Sequence, residues 1–318
     1  MTKKTIFFII IICFLLLVGG IFAFIFFHEK NLKDTNKTVN IVFITDKNYK
    51  DYLKTTMRSA IANKNEDSVY NINILCVDLP ENERNKYKKF ESKNVHINPM
   101  AVSLNDIKDV GNYDIFYFVT RADLFKFFMP DLFPKLDKIL AIDVDTVILK
   151  DLTQLYNTDL KDKYIGVVNK PKKDFSAIHI NNKVVSSEVR KYNNGVMLYN
   201  LKLWRKDDIT NELIKEKNQM QDKSLMTQNV FNYVLDQKKI KKLPPIYNVF
   251  SRWDDPAMKR HYFLTAYFPY CWLHSCSFEA LKKDAVIIHY LDIFKPWVYR
   301  DEGISKYWLL YERKEDYK

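Results

Sequence analysis

The segment 138–145 reads Lys-Ile-Leu-Ala-Ile-Asp-Val-Asp. Its first five residues predict a buried β-strand, because they form a short and mostly apolar run. Side chains alternate along a strand, so Asp143 and Asp145 are expected on one face, with Val144 turned into the core. Two carboxylates at the end of a buried strand suit a Mn²⁺ or Mg²⁺ ion. The alternative interpretation is a polar strand end that carries two solvated acids.

A β-α-β unit precedes this segment. Val39–Thr45 predicts a buried strand, Tyr52–Asn63 a helix and Asn71–Val77 a second strand. This order indicates an α/β fold with a parallel sheet and crossover helices. Ligands of such sheets bind where the strands end at their carboxyl edge. Residues 46–49, Asp-Lys-Asn-Tyr, follow the first strand and are therefore expected at a ligand site.

The remainder of the chain predicts further helices and strands. Residues 192–195, Tyr-Asn-Asn-Gly, are expected to form a tight turn that introduces a strand. The last apolar strand is expected to bring His289 to the same carboxyl edge. Since no internal repeat or low-complexity linker interrupts residues 39–318, they are predicted to form one domain. The predicted elements are a helix at 124–129 closing at Pro130, a strand at 196–200, helices at 201–205 and 222–235, and a strand at 286–289.

The composition excludes several classes of protein. The formal net charge is +11, and the lysines are spread along the chain. Because no helix-turn-helix, RNP or zinc-finger pattern accompanies this charge, no nucleic-acid partner is predicted. A membrane surface or a phosphate-bearing substrate is compatible with it. The four cysteines form no disulfide framework, and without a C-x-x-C pair a structural zinc site is not expected.

Residues 6–27 predict a transmembrane anchor that contacts the lipid bilayer. The run is apolar throughout, and at about 1.5 Å per residue it reaches ~33 Å, which matches a hydrocarbon core of ~30 Å. A cleaved signal peptide is the alternative, but its apolar region is usually shorter and ends in a small-residue cleavage site. The predicted organisation is a tail at 1–5, the anchor at 6–27, a stem at 28–38 and the folded domain at 39–318.

The orientation of the predicted single-pass anchor stays open. Lys3 and Lys4 precede it, and three lysines follow it in residues 28–38. The positive-inside rule counts these residues and favours a cytosolic domain. Against this, Asn36-Lys37-Thr38 is a glycosylation sequon, which suits a lumenal domain.

Four runs of this sequence together resemble the retaining glycosyltransferases of family 8, especially the bacterial lipopolysaccharide glucosyl- and galactosyltransferases. The resemblance extends over roughly residues 40–312, with the motifs in the family's order and spacing. The runs are 41–49 (Ile-Val-Phe-Ile-Thr-Asp-Lys-Asn-Tyr), 136–147 around Asp143-Val144-Asp145, 193–201 (Asn-Asn-Gly-Val-Met-Leu-Tyr-Asn-Leu) and 289–297, which starts at His289 and includes Lys295-Pro296-Trp297.

This resemblance implies a GT-A type fold, with a Rossmann-like nucleotide-binding sheet that is mixed and mostly parallel. It implies a UDP-sugar donor, a glycan or glycolipid acceptor and a divalent cation held by Asp143, Asp145 and His289. An imidazole added to two carboxylates favours Mn²⁺ over Mg²⁺. Such a cation and a lysine, Lys295, would neutralise the charge that develops on the diphosphate leaving group.

The resemblance also implies roles for other residues. Gln228 matches the family's glutamine beside the anomeric carbon, on the face opposite the leaving group, and is the candidate catalytic residue. Retention by same-face attack and retention by double displacement are both compatible with it. The residues matched to uridine are Asp46, Asn48 and Tyr49, and the other matched donor-binding residues are Lys126, Val144, Asn193, Asn194 and Gly195.

Four positions depart from the family's pattern. The usual Asp-Gln-Asp is Thr227-Gln228-Asn229, so both flanking carboxylates are absent from these positions. The glycine expected between His289 and Lys295 is Asp292, and the arginine common four residues before Pro130 is Lys126. Lysine cannot make the bidentate contact of arginine. These departures motivate a second hypothesis, a membrane-tethered nucleotide-sugar- or carbohydrate-binding relative with impaired catalysis.

Overall fold

The computed structural model describes most of residues 37–317, with several gaps. Residues Thr38–Lys318 form one compact unit. Among the residues described, no helix is both long and apolar enough to span a bilayer; the anchor predicted at 6–27 lies outside them. The described residues are 37–107, 110, 120–169, 192–220, 226–251, 283–291, 295–300 and 305–315, with the backbone alone of 178–180, 183–185 and 316–317.

The described residues form twelve strands and eight α-helices. The strands are β1 Thr38–Thr45, β2 Val69–Val77, β3 Val95–Val102, β4 Lys138–Ile142, β5 Thr146–Ile148, β6 Ile165–Asn169, β7 Ile178–Ile180, β8 Lys183–Val185, β9 Tyr192–Asn200, β10 Ile240–Lys242, β11 Val249–Phe250 and β12 Ile287–His289. The α-helices are α1 Tyr52–Ala62, α2 Glu81–Asn85, α3 Met129–Leu132, α4 Thr153–Tyr156, α5 Leu201–Lys206, α6 Ile209–Gln219, α7 Thr227–Val234 and α8 Lys306–Leu309.

A seven-stranded sheet in the order β10-β6-β9-β4-β1-β2-β3 forms the centre of the fold. Strands β4, β1, β2 and β3 run parallel, as does the pair β10 and β6. Strand β9 runs antiparallel to both of its neighbours, β4 and β6. The predicted α/β architecture with a mixed, mostly parallel sheet is therefore confirmed.

The direction of β9 determines which residues meet at the edge of the sheet. Ile142, the last residue of β4, pairs with Val196 of β9. Because β9 is antiparallel, its amino-terminal residues lie beside the carboxyl end of β4. The residues that follow β1 and β4 and those that begin β9 therefore share one edge.

A separate three-stranded sheet, β11-β12-β5, carries His289 to this edge. Strand β12 is antiparallel to β5, with His289 opposite Thr146. The backbone N–H of Tyr290 donates to the carbonyl oxygen of Asp145 at 2.9 Å. His289 thus arrives beside the acidic pair as expected, but from the small sheet rather than from the central one.

The inner strands of the central sheet, such as β4 and β9, are buried on both faces, as expected for strands covered by helices. Alternate residues of β1 enter different cores: Val42 packs in the same cluster as Phe125, and Phe43 in the same cluster as Met57 of α1. All four side chains are at most 1% exposed. Burying each such side chain stabilises the fold by roughly 1.5–3 kcal/mol. These buried side chains therefore hold in place the strands whose ends carry the residues of the shared edge.

Two local predictions are wrong. The predicted helix at 124–129 is a 3₁₀ helix, Arg121–Phe128, and Pro130 lies in the first turn of α3 instead of closing a helix. Proline is tolerated there, since a first-turn N–H has no intrahelical partner. Residues 192–195 form the start of β9 and not a tight turn. The described residues 227–234 of the predicted helix at 222–235 are helical.

Candidate active site

A cavity of about 200 Å³ opens at the shared edge of the sheet. It lies where parallel α/β sheets bind ligands, beyond the carboxyl ends of β1 and β4. Eleven of the residues singled out from the sequence line it: Asp46, Tyr49, Lys126, Asp143, Val144, Asp145, Asn193, Asn194, Gln228, His289 and Lys295.

Two other sequence candidates lie outside the cavity lining. Asn48 is exposed, and its backbone N–H donates to the Asp46 carboxylate at 2.9 Å, so it holds the loop after β1 in place. Gly195 lies behind the wall, where its carbonyl accepts from the backbone N–H of Asp143 at 2.8 Å. Asp292 lies outside the described residues.

Asp143, Asp145 and His289 form a group suited to a divalent cation. One ligand atom from each lies within 4.8 Å of the other two. The His289 Nε2 atom is 3.1 Å from Asp145 Oδ1 and 3.9 Å from Asp143 Oδ2. Two carboxylate oxygens and one imidazole nitrogen are a donor set that Mn²⁺ accepts readily. The residues present therefore fit the cation that the resemblance implies.

Two buried lysines flank this group. The Lys126 ammonium lies 2.7 Å from Asp143 and 2.7 Å from Asp123. Lys295 pairs with the Asp145 carboxylate and donates to the carbonyl oxygen of Tyr290 at 2.6 Å. Because each ammonium faces a carboxylate, both charges are tolerated although the side chains are less than a tenth exposed.

These contacts shift the pKa values of the charged groups in different directions. Burial alone would lower the pKa of the Lys126 ammonium, but Asp123 and Asp143 raise it above its usual value. Burial raises the pKa of the Asp143 carboxyl, against the opposing charge of Lys126. Burial would also raise the pKa of the Asp145 carboxyl, yet Lys295 and His289 outweigh it and hold that pKa well below its usual range.

An aromatic cluster of Tyr49, Tyr52 and Trp297 borders the cavity, which Tyr49 lines. Tyr52 of α1 stacks on Trp297, with ring centroids 3.9 Å apart, and Tyr49 meets Trp297 edge-on at 6.1 Å. Burial and the nearby Asp145 and Asp46 carboxylates raise the pKa of the Tyr49 hydroxyl, so it stays protonated at neutral pH. The cluster ties the Lys295 segment to the loop after β1.

A chain of side-chain hydrogen bonds joins His289 to Gln228. His289 Nδ1 lies 3.1 Å from Asn248 Oδ1, and Asn248 Nδ2 donates to Asn193 Oδ1 at 2.9 Å. Asn193 Nδ2 in turn donates to Gln228 Oε1 at 3.1 Å. With Nδ1 engaged by Asn248, the Nε2 atom of His289 faces the carboxylates. Sequence reasoning missed Asn248, because a single asparagine before a two-residue strand carries no signal.

Gly195 allows His289 to approach β9. A Cβ atom at this position would lie 2.1 Å from His289 Cε1 and 2.9 Å from Asn193 Oδ1. Its φ is not positive, so no turn requires glycine here. Close packing under the imidazole is the physical reason for this glycine.

Asp123 is a second residue that sequence reasoning missed. It lines the cavity, and the Thr227 hydroxyl contacts its carboxylate. The sequence places no acid at Thr227 or Asn229, yet the fold supplies one beside Thr227 from the 3₁₀ helix. A signal was available, since residues 123 and 126 stand three apart and such pairs share a helix face.

Solved structures of glycosyltransferases share this fold. The apo structure of the bifunctional glycosyltransferase WbbM superposes with a TM-score of 0.69 at 19% identity, covering 89% of this chain and 51% of WbbM. Galactosyltransferase LgtC, solved with donor and acceptor sugar analogues, gives a TM-score of 0.62 at 19% identity, covering 87% of this chain and 98% of LgtC. At these identities the likeness shows a GT-A-like fold alone.

Curated relatives match part of their own length. Probable galacturonosyltransferase 4 of Arabidopsis thaliana is 27% identical over 202 residues, which is 61% of this chain and 30% of that protein. General stress protein A of Bacillus subtilis is 24% identical over 196 residues, or 58% of this chain and 64% of that protein. The chain thus spans less than two thirds of either relative.

The sequence model described as Glycosyl transferase family 8 matches residues 40–301, most of the chain. The matched range includes the loop after β1, the group of Asp143, Asp145 and His289, and Lys295. The chain therefore belongs to glycosyl transferase family 8.

Proposed function

We propose that this protein is a retaining hexosyltransferase that moves a hexose from a UDP-sugar to a glycan or glycolipid acceptor and depends on Mn²⁺ or Mg²⁺. The meeting of Asp143, Asp145 and His289 in one cavity with Gln228 carries this proposal. Membership of the family supports it.

The charged residues of the cavity suit a diphosphate. Asp143, Asp145 and His289 would hold the cation, which supplies electrostatic stabilisation of the leaving group. Lys126 and Lys295 also line the cavity and add two positively charged ammonium groups to it. Tyr49, which belongs to the aromatic cluster, and Asp46 are residues that the resemblance matches to the uridine. Asn193 holds the Gln228 amide in the wall, where the resemblance puts the anomeric carbon.

Two hypotheses about catalysis are separated by turnover. The second hypothesis, a binding relative with impaired catalysis, rests on the residues at Thr227, Asn229 and Asp292. We expect the full-length chain in detergent to hydrolyse at least one donor in a UDP-sugar panel with Mn²⁺, and to lose this activity in excess EDTA. Binding of UDP without turnover of any donor would support the impaired relative, and full activity in EDTA would contradict the role of the cation.

The donor site gives a sharper expectation for His289 and Lys295. Lys295→Ala should weaken UDP more than free uridine, because only UDP carries phosphate. A hydrogen bond to a charged group contributes roughly 1.5–3 kcal/mol, so a loss of about 10- to 150-fold is expected. His289→Ala should weaken UDP only when Mn²⁺ is present. Calorimetric titration with UDP and uridine, with and without Mn²⁺, measures both effects, and an equal loss for uridine would contradict the phosphate role of Lys295.

We further propose that residues 6–27 anchor the protein in a membrane as a single span of undetermined orientation. The length of this apolar run supports the proposal. Full-length protein is expected to sediment with membranes and to resist carbonate extraction. A mature amino terminus near residue 28 would indicate a cleaved signal peptide.

A further inference from the structure

Asp123 occupies a defined place in the line of charged contacts across the cavity. Lys295 pairs with Asp145, Asp145 faces His289, and Lys126 bridges Asp143 and Asp123. Asp123 then contacts Thr227, the residue before Gln228. Asp123 is therefore the acid next to Thr227, and its link to Lys295 in this series runs through Lys126, Asp143, His289 and Asp145.

The Asp123 carboxylate retains acceptor capacity that points to the cavity. Its Oδ1 faces the Lys126 ammonium at 2.7 Å, and its Oδ2 accepts from the Thr227 hydroxyl. Thr227 also accepts from Asn194 Nδ2 at 2.9 Å, so its hydroxyl both accepts a hydrogen bond and donates its one proton to Asp123. A carboxylate offers about four lone-pair sites, of which these contacts use two. The side chain is 20% exposed and lines the cavity, which leaves the others open to a ligand.

We propose that Asp123 accepts hydrogen bonds from the hydroxyl groups of the transferred sugar and makes the enzyme select a neutral hexose over a hexuronic acid. The proposal rests on the hexosyltransferase function proposed above and names its donor class. A carboxylate that binds sugar hydroxyls gives charge-assisted hydrogen bonds, which are stronger than neutral ones. It would make Asp123 the residue that distinguishes donors.

The surrounding charges oppose a second carboxylate beside Asp123. The Lys126 ammonium already faces two acids, and its distances to them are equal at 2.7 Å. A hexuronic acid would add its own carboxylate to a site that holds Asp123, and like charges in juxtaposition are strongly unfavourable. Selectivity would thus come from repulsion of the wrong donor together with attraction of the right one.

The test compares donors in the wild type and in Asp123→Asn, which keeps the shape of the side chain. Binding and hydrolysis are measured for UDP, UDP-glucose, UDP-galactose, UDP-glucuronic acid and UDP-galacturonic acid with Mn²⁺. The wild type is expected to prefer its best neutral donor over the matching uronic acid donor by at least about tenfold in kcat/KM. Asp123→Asn should lower kcat/KM for that neutral donor by about 10- to 100-fold. It should also reduce the preference for the neutral donor over the uronic acid donor. Its Kd for UDP should stay within about twofold.

Two control variants and the melting temperature separate this role from a structural one. Asp131→Asn changes an exposed acid outside the cavity and should leave donor choice unchanged. The exchange variant, Asp123→Thr with Thr227→Asp, keeps the net charge of the cavity. Its activity with the neutral donor should be higher than that of Asp123→Asn. A purely structural role of Asp123 would instead lower the melting temperature and weaken UDP as much as UDP-hexose.

Each outcome decides one of the two proposals. An unchanged preference and unchanged kcat/KM in Asp123→Asn, or a wild type that uses the uronic acid donor as well as the neutral one, overturns the role of Asp123. If the wild type binds donors but turns none over, the hexosyltransferase function fails. In that case the ratio of the Kd values for UDP-hexose and UDP still tests the role of Asp123. If this ratio is the same in Asp123→Asn as in the wild type, that role is overturned.

Discussion

Asp143→Asn and Asp145→Asn are each expected to lower cation-dependent turnover by about 10²- to 10³-fold. A divalent cation stabilises the charge of a transition state by several kcal/mol, and each 1.36 kcal/mol corresponds to a factor of ten in rate. Each substitution removes one of three ligands that lie within 4.8 Å of one another. Steady-state kinetics at increasing Mn²⁺ measures the effect, because a weakened site requires more cation for the same rate.

The two variants should differ in stability. In Asp143→Asn the buried Lys126 keeps its contact with Asp123, so the melting temperature is expected to change little. In Asp145→Asn, Lys295 loses its carboxylate partner. Removing one partner of a buried ion pair costs roughly 3–5 kcal/mol, although the contact with the Tyr290 carbonyl offsets part of it. Thermal unfolding should therefore rank Asp145→Asn below Asp143→Asn.

A matched substitution lies at the opposite end of the same strand. Asp137 immediately precedes β4, and its side chain is 75% exposed. Asp137→Asn should keep both wild-type turnover and the wild-type cation requirement. If Asp143→Asn and Asp145→Asn also keep wild-type turnover and cation requirement, the three-residue cation group is not the catalytic centre.

Much of the fold could be predicted because it depends on local patterns. The apolar runs of β1 and β4 are short and end in polar residues, so both strands and their carboxyl edge follow from period and composition. The expectation for 192–195 failed for the same reason. Asn-Asn-Gly is a turn signal locally, but pairing with β4 on one side and β6 on the other keeps β9 extended.

The candidate site was harder to predict from the sequence, since several of its contacts join distant parts of the chain. Asp123 contacts Thr227, 104 positions away, and Asn193 meets Asn248 across 55. No local pattern marks a polar residue whose partner comes from another element. The departure at Thr227 illustrates this limit, because sequence reasoning registered the missing acid there and not the acid that the 3₁₀ helix supplies.

Gly195→Ala is expected to weaken the cation site without replacing any of its ligands. The new methyl group would lie 2.1 Å from His289 Cε1 and 2.7 Å from Nδ1, distances that only a displacement of the imidazole can relieve. His289 is 2% exposed and its Nδ1 faces Asn248, so a displaced ring would give up this contact and its position beside the carboxylates. We expect Mn²⁺-dependent UDP binding to fall at least about tenfold, which corresponds to about 1.4 kcal/mol. Calorimetric titration with Mn²⁺ and UDP measures this.

Gly166→Ala provides the matched control for the loss of a glycine in the central sheet. A Cβ atom at Gly166 would meet the side-chain ends of Leu160 and Leu243 at 3.1 and 3.2 Å, and these can shift. Overpacking of a core costs about 1–3 kcal/mol, and Gly166→Ala should lie at or below the low end of that range with unchanged UDP and Mn²⁺ binding. Gly195→Ala should lose cation affinity even in protein that remains folded by circular dichroism. Wild-type Mn²⁺ affinity in folded Gly195→Ala would show that His289 does not bind the cation from the position it holds against β9.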